Sequence, residues 1–226
     1  MEKRLSELLN LVIKTHIKTA EPIGSRFLVE KCDLGRGEAT VRNELRELEE
    51  QGYLRHPHTS AGRIPTEKGY RYYLKNLDLA RAKLTKKDND VFGMSVSADT
   101  DKENAQKVLV KNLTALSNAT AILAFSPDQV YYTGLSNLFS QPEFSELALV
   151  ADVTQIFDHC EDCLENFSDE VTTEIKYFFG PEHGFGNLLS VAAFRFGDES
   201  LLILLGPMRM DYARNYALMN KIKELI

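Results

Sequence analysis

A helical pattern of apolar residues that stops at a glycine, followed at once by a basic loop, is the most constraining feature of this sequence. Val41, Leu45 and Leu48 recur at helical spacing. Gly52 then ends the pattern, as glycine commonly does after a helix. The spacing predicts a helix with one buried face and one free face. Residues 55–65 contain Gly, Pro and several positive or titratable groups but no apolar run, which indicates an exposed loop beside that helix.

The residues before this helix predict two further helices. A wide apolar stripe predicts a first helix that ends before Pro22, because proline cannot continue a helix. A short second helix is predicted over residues 25–31, with Ser25 as a plausible N-cap, and a tight turn follows over residues 33–37. Together with the third helix these elements make a helix-turn-helix, and the strand expected after Gly52 begins a wing.

Positive and negative charges are segregated along the chain. Residues 1–87 hold 18 Lys plus Arg against 12 Asp plus Glu, a net charge of +6, whereas the remaining residues hold 9 against 21, a net charge of −12. The overall charge of −6 therefore conceals a basic module joined to an acidic one. This distribution is expected if only the first module approaches phosphate groups.

A basic winged helix-turn-helix is typical of proteins that bind duplex DNA in the major groove. The candidate DNA-binding residues of the third helix are Thr40, Arg42, Asn43 and Arg46. Those of the wing, expected at the minor groove or on phosphates, are His58, Ser60 and Arg63. Arg42 and Asn43 are the strongest candidates for contacts to bases or nearby phosphates. In a plainer interpretation, the arginines are only solvated charges on a small helical domain.

The second half has a mixed pattern that predicts an α+β fold. A helix is expected over residues 101–118, with further helices between residues 143 and 167 and at the C-terminus, the last capped by Asp211. The predicted strands cover residues 120–125, 130–134, 174–178, 188–196 and 200–205. We therefore predict a DNA-binding domain over residues 1–85, a polar linker over 86–100 and a second domain over 101–226.

The sequence gives only weak support for a redox, zinc or phosphate-binding site. Cys160 and Cys163 have a C-x-x-C spacing, but they lack a second cysteine pair and are surrounded by carboxylates, so ordinary partial burial on a helix is favoured over a redox or zinc site. The glycine-rich residues 180–186 lack the ending of a phosphate-binding loop and are interpreted as a flexible connection. We predict no catalytic residues, no metal and no cofactor, hence no enzyme, with a thiol enzyme as the remaining alternative.

The sequence predicts a cytoplasmic protein. Its longest apolar run, residues 201–205, is far shorter than the roughly 20 residues that a membrane-spanning helix needs. The first residues form an amphipathic pattern instead of a secretion signal, and the three cysteines form no regular framework.

Several motifs resemble the bacterial heat-inducible transcription repressor family HrcA. In the first half they occupy residues 21–26, 39–44, 48–54, 57–66 and 68–73. In the second half they occupy residues 134–138, 141–144 and 206–212. The resemblance therefore covers nearly the whole chain.

The resemblance implies a GAF-like second domain and negative regulation of chaperone operons. It implies an inverted-repeat operator, called CIRCE, and dependence on the chaperonin GroEL. The chain departs from the family between residues 125 and 131, where the inserted dimerisation domain of longer members is missing. We expect a homodimer whose reading helices enter successive major grooves roughly 34 Å apart. The alternative is a winged-helix regulator whose second domain binds a metabolite.

Overall fold

The computed structural model describes residues 1–32, 34–57, 62–95, 101–126, 129–145, 147–197 and 200–226. The chain divides into two compact units, Met1–Leu77 and Asp78–Ile226. This division lies earlier in the chain than the domain boundary predicted from the sequence at residue 85. Within the described residues, no helix has both the length and the apolar composition needed to cross a bilayer.

The N-terminal unit is a winged helix-turn-helix, as predicted. Its elements in chain order are α1 (Lys3–Thr19), α2 (Ser25–Lys31), α3 (Glu38–Glu50), β1 (Leu54–Arg55), β2 (Ile64–Pro65) and α4 (Glu67–Lys75). Helix α1 is capped by Ala20, which adopts a left-handed conformation, and α3 is followed by Gly52 at φ +75°. Ser25 is not an N-cap, because it is the first residue of α2 and its hydroxyl group donates a hydrogen bond to Glu38.

The apolar stripes of three helices meet in the core of this unit. Its fully buried side chains include Leu8, Leu9, Val12, Ile13, Leu28, Val41, Leu45 and Leu48. Helix α4 is attached to α1 by a buried hydrogen bond of 2.7 Å between the Tyr70 hydroxyl group and His16 Nδ1. Tyr70 and Tyr73 are buried, so this face of α4 packs into the core.

The C-terminal unit is an α+β domain. Its helices are α5 (Lys86–Ser95), α6 (Lys102–Ser117), α7 (Leu135–Phe139), α8 (Leu147–Asp158), α9 (Cys160–Ser168) and α10 (Tyr212–Leu225). Its strands are β3 (Thr120–Ser126), β4 (Gln129–Thr133), β5 (Lys176–Phe179), β6 (Leu189–Phe196) and β7 (Ser200–Pro207). Short 3-10 turns cover Leu79–Arg81, Pro142–Phe144 and Gly180–Glu182.

The five strands form one antiparallel sheet in the order β4, β3, β7, β6, β5. Alternate residues of the central strands point to opposite faces, and both faces are buried. Ile122, Val191 and Ile203 pack on one face with side chains from α7, α8 and α9. Helices α6 and α10 contact each other and also contact β3 and β6, respectively. The sheet with its helices is the α+β arrangement that the resemblance implies.

In this unit, one arginine connects two of the motifs on which the family resemblance rests. Arg209 Nε donates to Glu143 Oε1 at 2.5 Å, and Arg209 Nη2 donates to Gln141 Oε1 at 2.6 Å. The Arg209 side chain is only 12% exposed. The motifs at residues 141–144 and 206–212 therefore stabilise the domain together instead of forming separate surface sites.

Two segments differ from their sequence-based interpretation. Residues 86–100 were expected to form an irregular polar linker, but α5 occupies their first part and buries Phe92 and Asp88. The glycine-rich loop is not a flexible connection, because its imidazole side chain, His183, is buried and hydrogen bonded to the Leu189 carbonyl oxygen and the Phe185 amide. Glycine content alone did not reveal the side chains that hold this loop in place.

Candidate nucleic-acid interface

Helix α3 has one buried face and one exposed face. Val41, Leu45 and Leu48 are fully buried. The predicted contact residues of α3, all exposed to solvent, are Thr40, Arg42, Asn43 and Arg46. The structure therefore brings these four side chains together on the free part of one helix, where a duplex can reach them.

Two arginines of this surface already have acidic partners one helical turn away. Arg42 Nη2 lies 2.5 Å from Glu38 Oε1, and Arg46 Nε lies 3.0 Å from Glu50 Oε1. Both arginine side chains are well exposed, at 65% and 72%. Exposed ion pairs contribute only about 0 to 1 kcal/mol to stability, so these arginines can exchange their carboxylate partners for DNA groups at low cost.

The buried face of α3 carries a carboxylate that pairs with two arginines. Glu44 is only 3% exposed, and its carboxylate receives a hydrogen bond of 2.7 Å from Arg36 Nη1. Its other oxygen lies 2.9 Å from Arg4 Nε, as an ion pair without hydrogen-bond geometry. Glu44 was not among the candidates predicted from the sequence. The available indication was its position between Val41 and Leu48 on the apolar face of the helix.

The wing is a short hairpin in which Leu54 pairs with Pro65 and Arg55 pairs with Ile64. A further pair of backbone hydrogen bonds, 2.8 and 3.0 Å long, joins Arg63 to Ile23 in the α1–α2 connection. Gly62 makes this approach possible, since a Cβ atom there would lie 2.9 Å from the Ile23 carbonyl carbon. The base of the wing is therefore attached to the helical core.

The Arg63 side chain is mostly buried in this arrangement. It is 13% exposed, and its Nε atom lies 3.0 Å from Glu49 Oε2 on α3. His56 Nε2 lies 3.6 Å from the same carboxylate oxygen, and His56 Nδ1 is 3.0 Å from the Gly62 carbonyl oxygen. Glu49, which no sequence pattern predicted as a contact residue, thus joins α3 to both sides of the wing. Arg55 on β1 is exposed.

The remaining wing candidates, His58 and Ser60, lie outside the described residues. Of the seven predicted contact residues, the structure therefore describes five: four exposed on α3, and Arg63 at the base of the wing. The assignment of all seven to DNA contacts remains a prediction.

The two thiols of the C-terminal unit are poorly suited to nucleophilic chemistry. Burial, Glu161 and Cys163 together raise the pKa of Cys160 to about 11, and burial and Asp162 raise the pKa of Cys163. Since the thiolate is the reactive form, both residues are weak nucleophiles at neutral pH. Within the described part of the chain, no cluster of His, Cys, Asp and Glu has the composition of a metal site.

A cavity of about 520 Å³ in the C-terminal unit is lined by acidic residues of α9 and by Arg195 of β6. Arg195 Nη2 donates a hydrogen bond of 2.7 Å to the Ser168 carbonyl oxygen, and its Nε atom donates to the Val171 carbonyl oxygen at 3.4 Å. The guanidinium group is therefore engaged by the end of α9. This cavity gives no specific support to the metabolite-binding alternative.

Comparison with known proteins gives a family match for the C-terminal part. The sequence model of the HrcA protein C terminal domain matches residues 77–215. A crystal structure described as that of a hypothetical protein superposes with a TM-score of 0.81 and 16% identity, covering 99% of this chain and 97% of the other. At this identity the superposition shows a shared fold only.

Curated relatives match over shorter segments. The heat-inducible transcription repressor HrcA of Acetivibrio thermocellus is 39% identical over 131 residues, which cover 57% of this chain and 36% of that protein. The protein of the same name from a Thermoanaerobacter species is 52% identical over 77 residues, covering 34% of this chain and 22% of the relative. The matched part of the chain thus spans about a third or less of these curated relatives.

Proposed function

Since this chain belongs to the HrcA family, we propose that it is a negative transcriptional regulator of heat-shock operons and not an enzyme. It acts in the cytoplasm by occupying a duplex operator that overlaps a promoter. The observation that carries this proposal is the free face of α3, with Thr40, Arg42, Asn43 and Arg46 exposed beside a wing whose base is attached to the same helix.

The wing and α3 have separate tasks in this proposal. Helix α3 enters the major groove, where Arg42 and Asn43 can form hydrogen bonds with base edges and phosphates. The wing lies over the adjacent backbone or minor groove, with His58 and Ser60 as contact residues. Arg63 supports the wing through Glu49. A basic N-terminal module attracts any duplex, and the base contacts of α3 add the sequence preference.

The operator is proposed to be an inverted repeat of the CIRCE type, bound by a homodimer. Two copies of α3 related by a two-fold axis match two half-sites about 34 Å apart. In this chain the β3–β4 hairpin is short, since Ser126 pairs with Gln129. Dimerisation therefore does not use a domain inserted at that turn, and other surfaces of the chain must supply the interface.

The heat response is proposed to arise from marginal stability of the binding-competent dimer. Warming depletes that state, and the chaperonin GroEL restores it. A stability change of about 1 to 2 kcal/mol, within a total of roughly 5 to 15 kcal/mol, is sufficient to change operator occupancy several-fold.

An electrophoretic mobility assay tests the proposed function. The full chain is titrated against an inverted repeat, a single half-site and a scrambled duplex of the same composition at physiological salt. We expect the inverted repeat to bind most tightly, because both reading helices are engaged only there. Equal binding to all three duplexes, or no binding, would overturn the proposal.

The same assay tests the heat response. Binding is measured at growth temperature and at heat-shock temperature, with and without purified GroEL. We expect occupancy of the inverted repeat to fall on warming and to recover with chaperonin. If temperature and chaperonin leave the dissociation constant unchanged, the proposed heat response is wrong even if operator binding stands.

A further inference from the structure

Glu38 occupies an unusual position for an acidic residue in a DNA-binding surface. It is the first residue of α3, and the preceding N-cap, Gly37, provides no side-chain cap. Its carboxylate oxygen Oε1 lies 2.5 Å from Arg42 Nη2 and 3.3 Å from the Ser25 hydroxyl group. The Glu38 side chain is still 42% exposed. The N-terminal end of α3, which would lie closest to the bases in a major groove, therefore carries a carboxylate that is hydrogen bonded but still partly exposed.

The negative charge of Glu38 has opposite effects on binding to non-specific DNA and on binding to the operator. On DNA without the right sequence, binding relies on phosphates. Arg42 must then leave Glu38 to reach a phosphate, and the released carboxylate faces like charges. Where the sequence places the amino group of a base pair opposite Glu38, the carboxylate can accept a hydrogen bond from cytosine N4 or adenine N6. The cost of releasing Arg42 is then offset.

We propose that Glu38 is a specificity-determining residue, which penalises phosphate-only binding and reads an amino group of cytosine or adenine in each half-site. This inference rests on the proposed operator-binding function and adds a role to it. Arg42 and Glu38 act as a pair. The arginine binds the DNA most favourably where the neighbouring carboxylate also finds a hydrogen-bond donor.

The test compares the wild-type chain with Glu38→Gln, which keeps the size and polarity of the side chain but removes its charge. Each protein selects duplexes from a random pool, and its affinity is then measured for the duplex chosen by the wild type and for a scrambled version. For Glu38→Gln we expect about tenfold tighter binding to the scrambled duplex, because Arg42 is released for phosphate contact. The salt slope on that duplex should steepen by about one counterion.

The sequence preference provides a second readout that a merely structural role would not change. It uses Glu38→Ala, which has no hydrogen-bond acceptor in its side chain; in the pool selected by this variant, the preference for cytosine or adenine should relax at one position of each half-site. The matched control is Glu67→Gln. Glu67 is likewise the first residue of a helix, α4, and its carboxylate lies 2.8 Å from Arg71 Nε one turn later. This control should leave scrambled-duplex binding and the selected sequence unchanged.

The outcomes separate this inference from the function on which it rests. If the wild-type chain selects no common sequence, the proposed function fails, and the role of Glu38 fails with it. If the wild type selects an inverted repeat and Glu38→Ala selects the same sequence with the same discrimination, only the role of Glu38 is overturned. Equal effects of Glu38→Gln and Glu67→Gln would also overturn it, since net charge alone would explain them.

Discussion

Glu49 on α3 and Arg63 at the base of the wing form an ion pair, with Oε2 and Nε 3.0 Å apart. The arginine is 13% exposed and the glutamate 28%, so water screens this pair less than the pairs on the free face of α3. The backbone of Arg63 is also paired with Ile23. Arg63 thus joins the wing, α3 and the α1–α2 connection.

We predict that Glu49→Gln loosens the wing. The variant should lose about 1 kcal/mol of unfolding free energy, because the partly buried guanidinium group loses its charged partner. The affinity for operator and for scrambled duplexes should fall by the same factor, since the wing is less well positioned in both complexes. Urea denaturation followed by circular dichroism measures the first effect. Glu47→Gln, at an exposed site on the same helix, is the control; identical denaturation midpoints for the two variants would contradict this role.

We predict a larger loss for Glu44→Ala. Removing this carboxylate leaves Arg36 and Arg4 without their shared partner, and Arg36 is only 17% exposed. Breaking such a buried pair from one side should cost about 3 kcal/mol of unfolding free energy. Chemical denaturation measures the loss, with Glu47→Ala as the exposed control. A loss below about 0.5 kcal/mol, the usual range for surface substitutions, would show that Glu44 does not stabilise α3 in this way.

The elements with strong local patterns were predictable from the sequence. The spacing of Val41, Leu45 and Leu48 predicted α3 and its buried face, which the structure confirms. The expected cap of the last helix is also confirmed, since Asp211 Oδ1 accepts a hydrogen bond of 3.2 Å from the Arg214 amide. In both cases the physical cause lies within a few residues of the element, so the sequence contains it.

Interactions between distant residues were not predictable in this way. Helix α5 was interpreted as a linker because its local pattern is polar, yet its Asp88 carboxylate is buried and lies 3.0 Å from Arg214 on α10. The pairing of Glu49 with Arg63 likewise depends on how the hairpin returns to α3. Charged residues in a helical pattern usually indicate a solvated face. Only the tertiary structure shows which of them have buried partners.

Asp88 should make the C-terminal unit sensitive to acid. Burial alone would raise the pKa of this carboxyl group, but the Thr85 hydroxyl group, the Thr85 amide, Arg214 and Lys87 together lower it. A pKa lowered by folding means that ionised Asp88 stabilises the fold above its unfolded pKa of about 4. This stabilisation is lost as the pH falls through the lower, folded pKa.

The measurement is the unfolding free energy of the full chain between neutral pH and acid conditions. Asp88→Asn should lower stability at neutral pH and flatten the loss of stability below about pH 4, because the titrating group is gone. Asp90→Asn, at an exposed position of the same helix, provides the control. Parallel pH profiles for the wild type and Asp88→Asn would exclude this contribution.

Arg42→Ala provides the sharpest test of how α3 reads DNA. Because Arg42 is 65% exposed and pairs with the exposed carboxylate of Glu38, its removal should leave the unfolding free energy within about 0.5 kcal/mol of the wild-type value. Operator affinity should fall by about 1 to 3 kcal/mol, with relaxed preference at one base position per half-site, if the guanidinium group contacts a base. Titrations with single-base variants of the operator measure this preference, and Arg46→Ala shows the effect of removing a second paired arginine from the same helix. An equal loss on operator and scrambled duplexes would instead identify Arg42 as a phosphate contact, and the base-reading role would pass to Asn43 or Thr40.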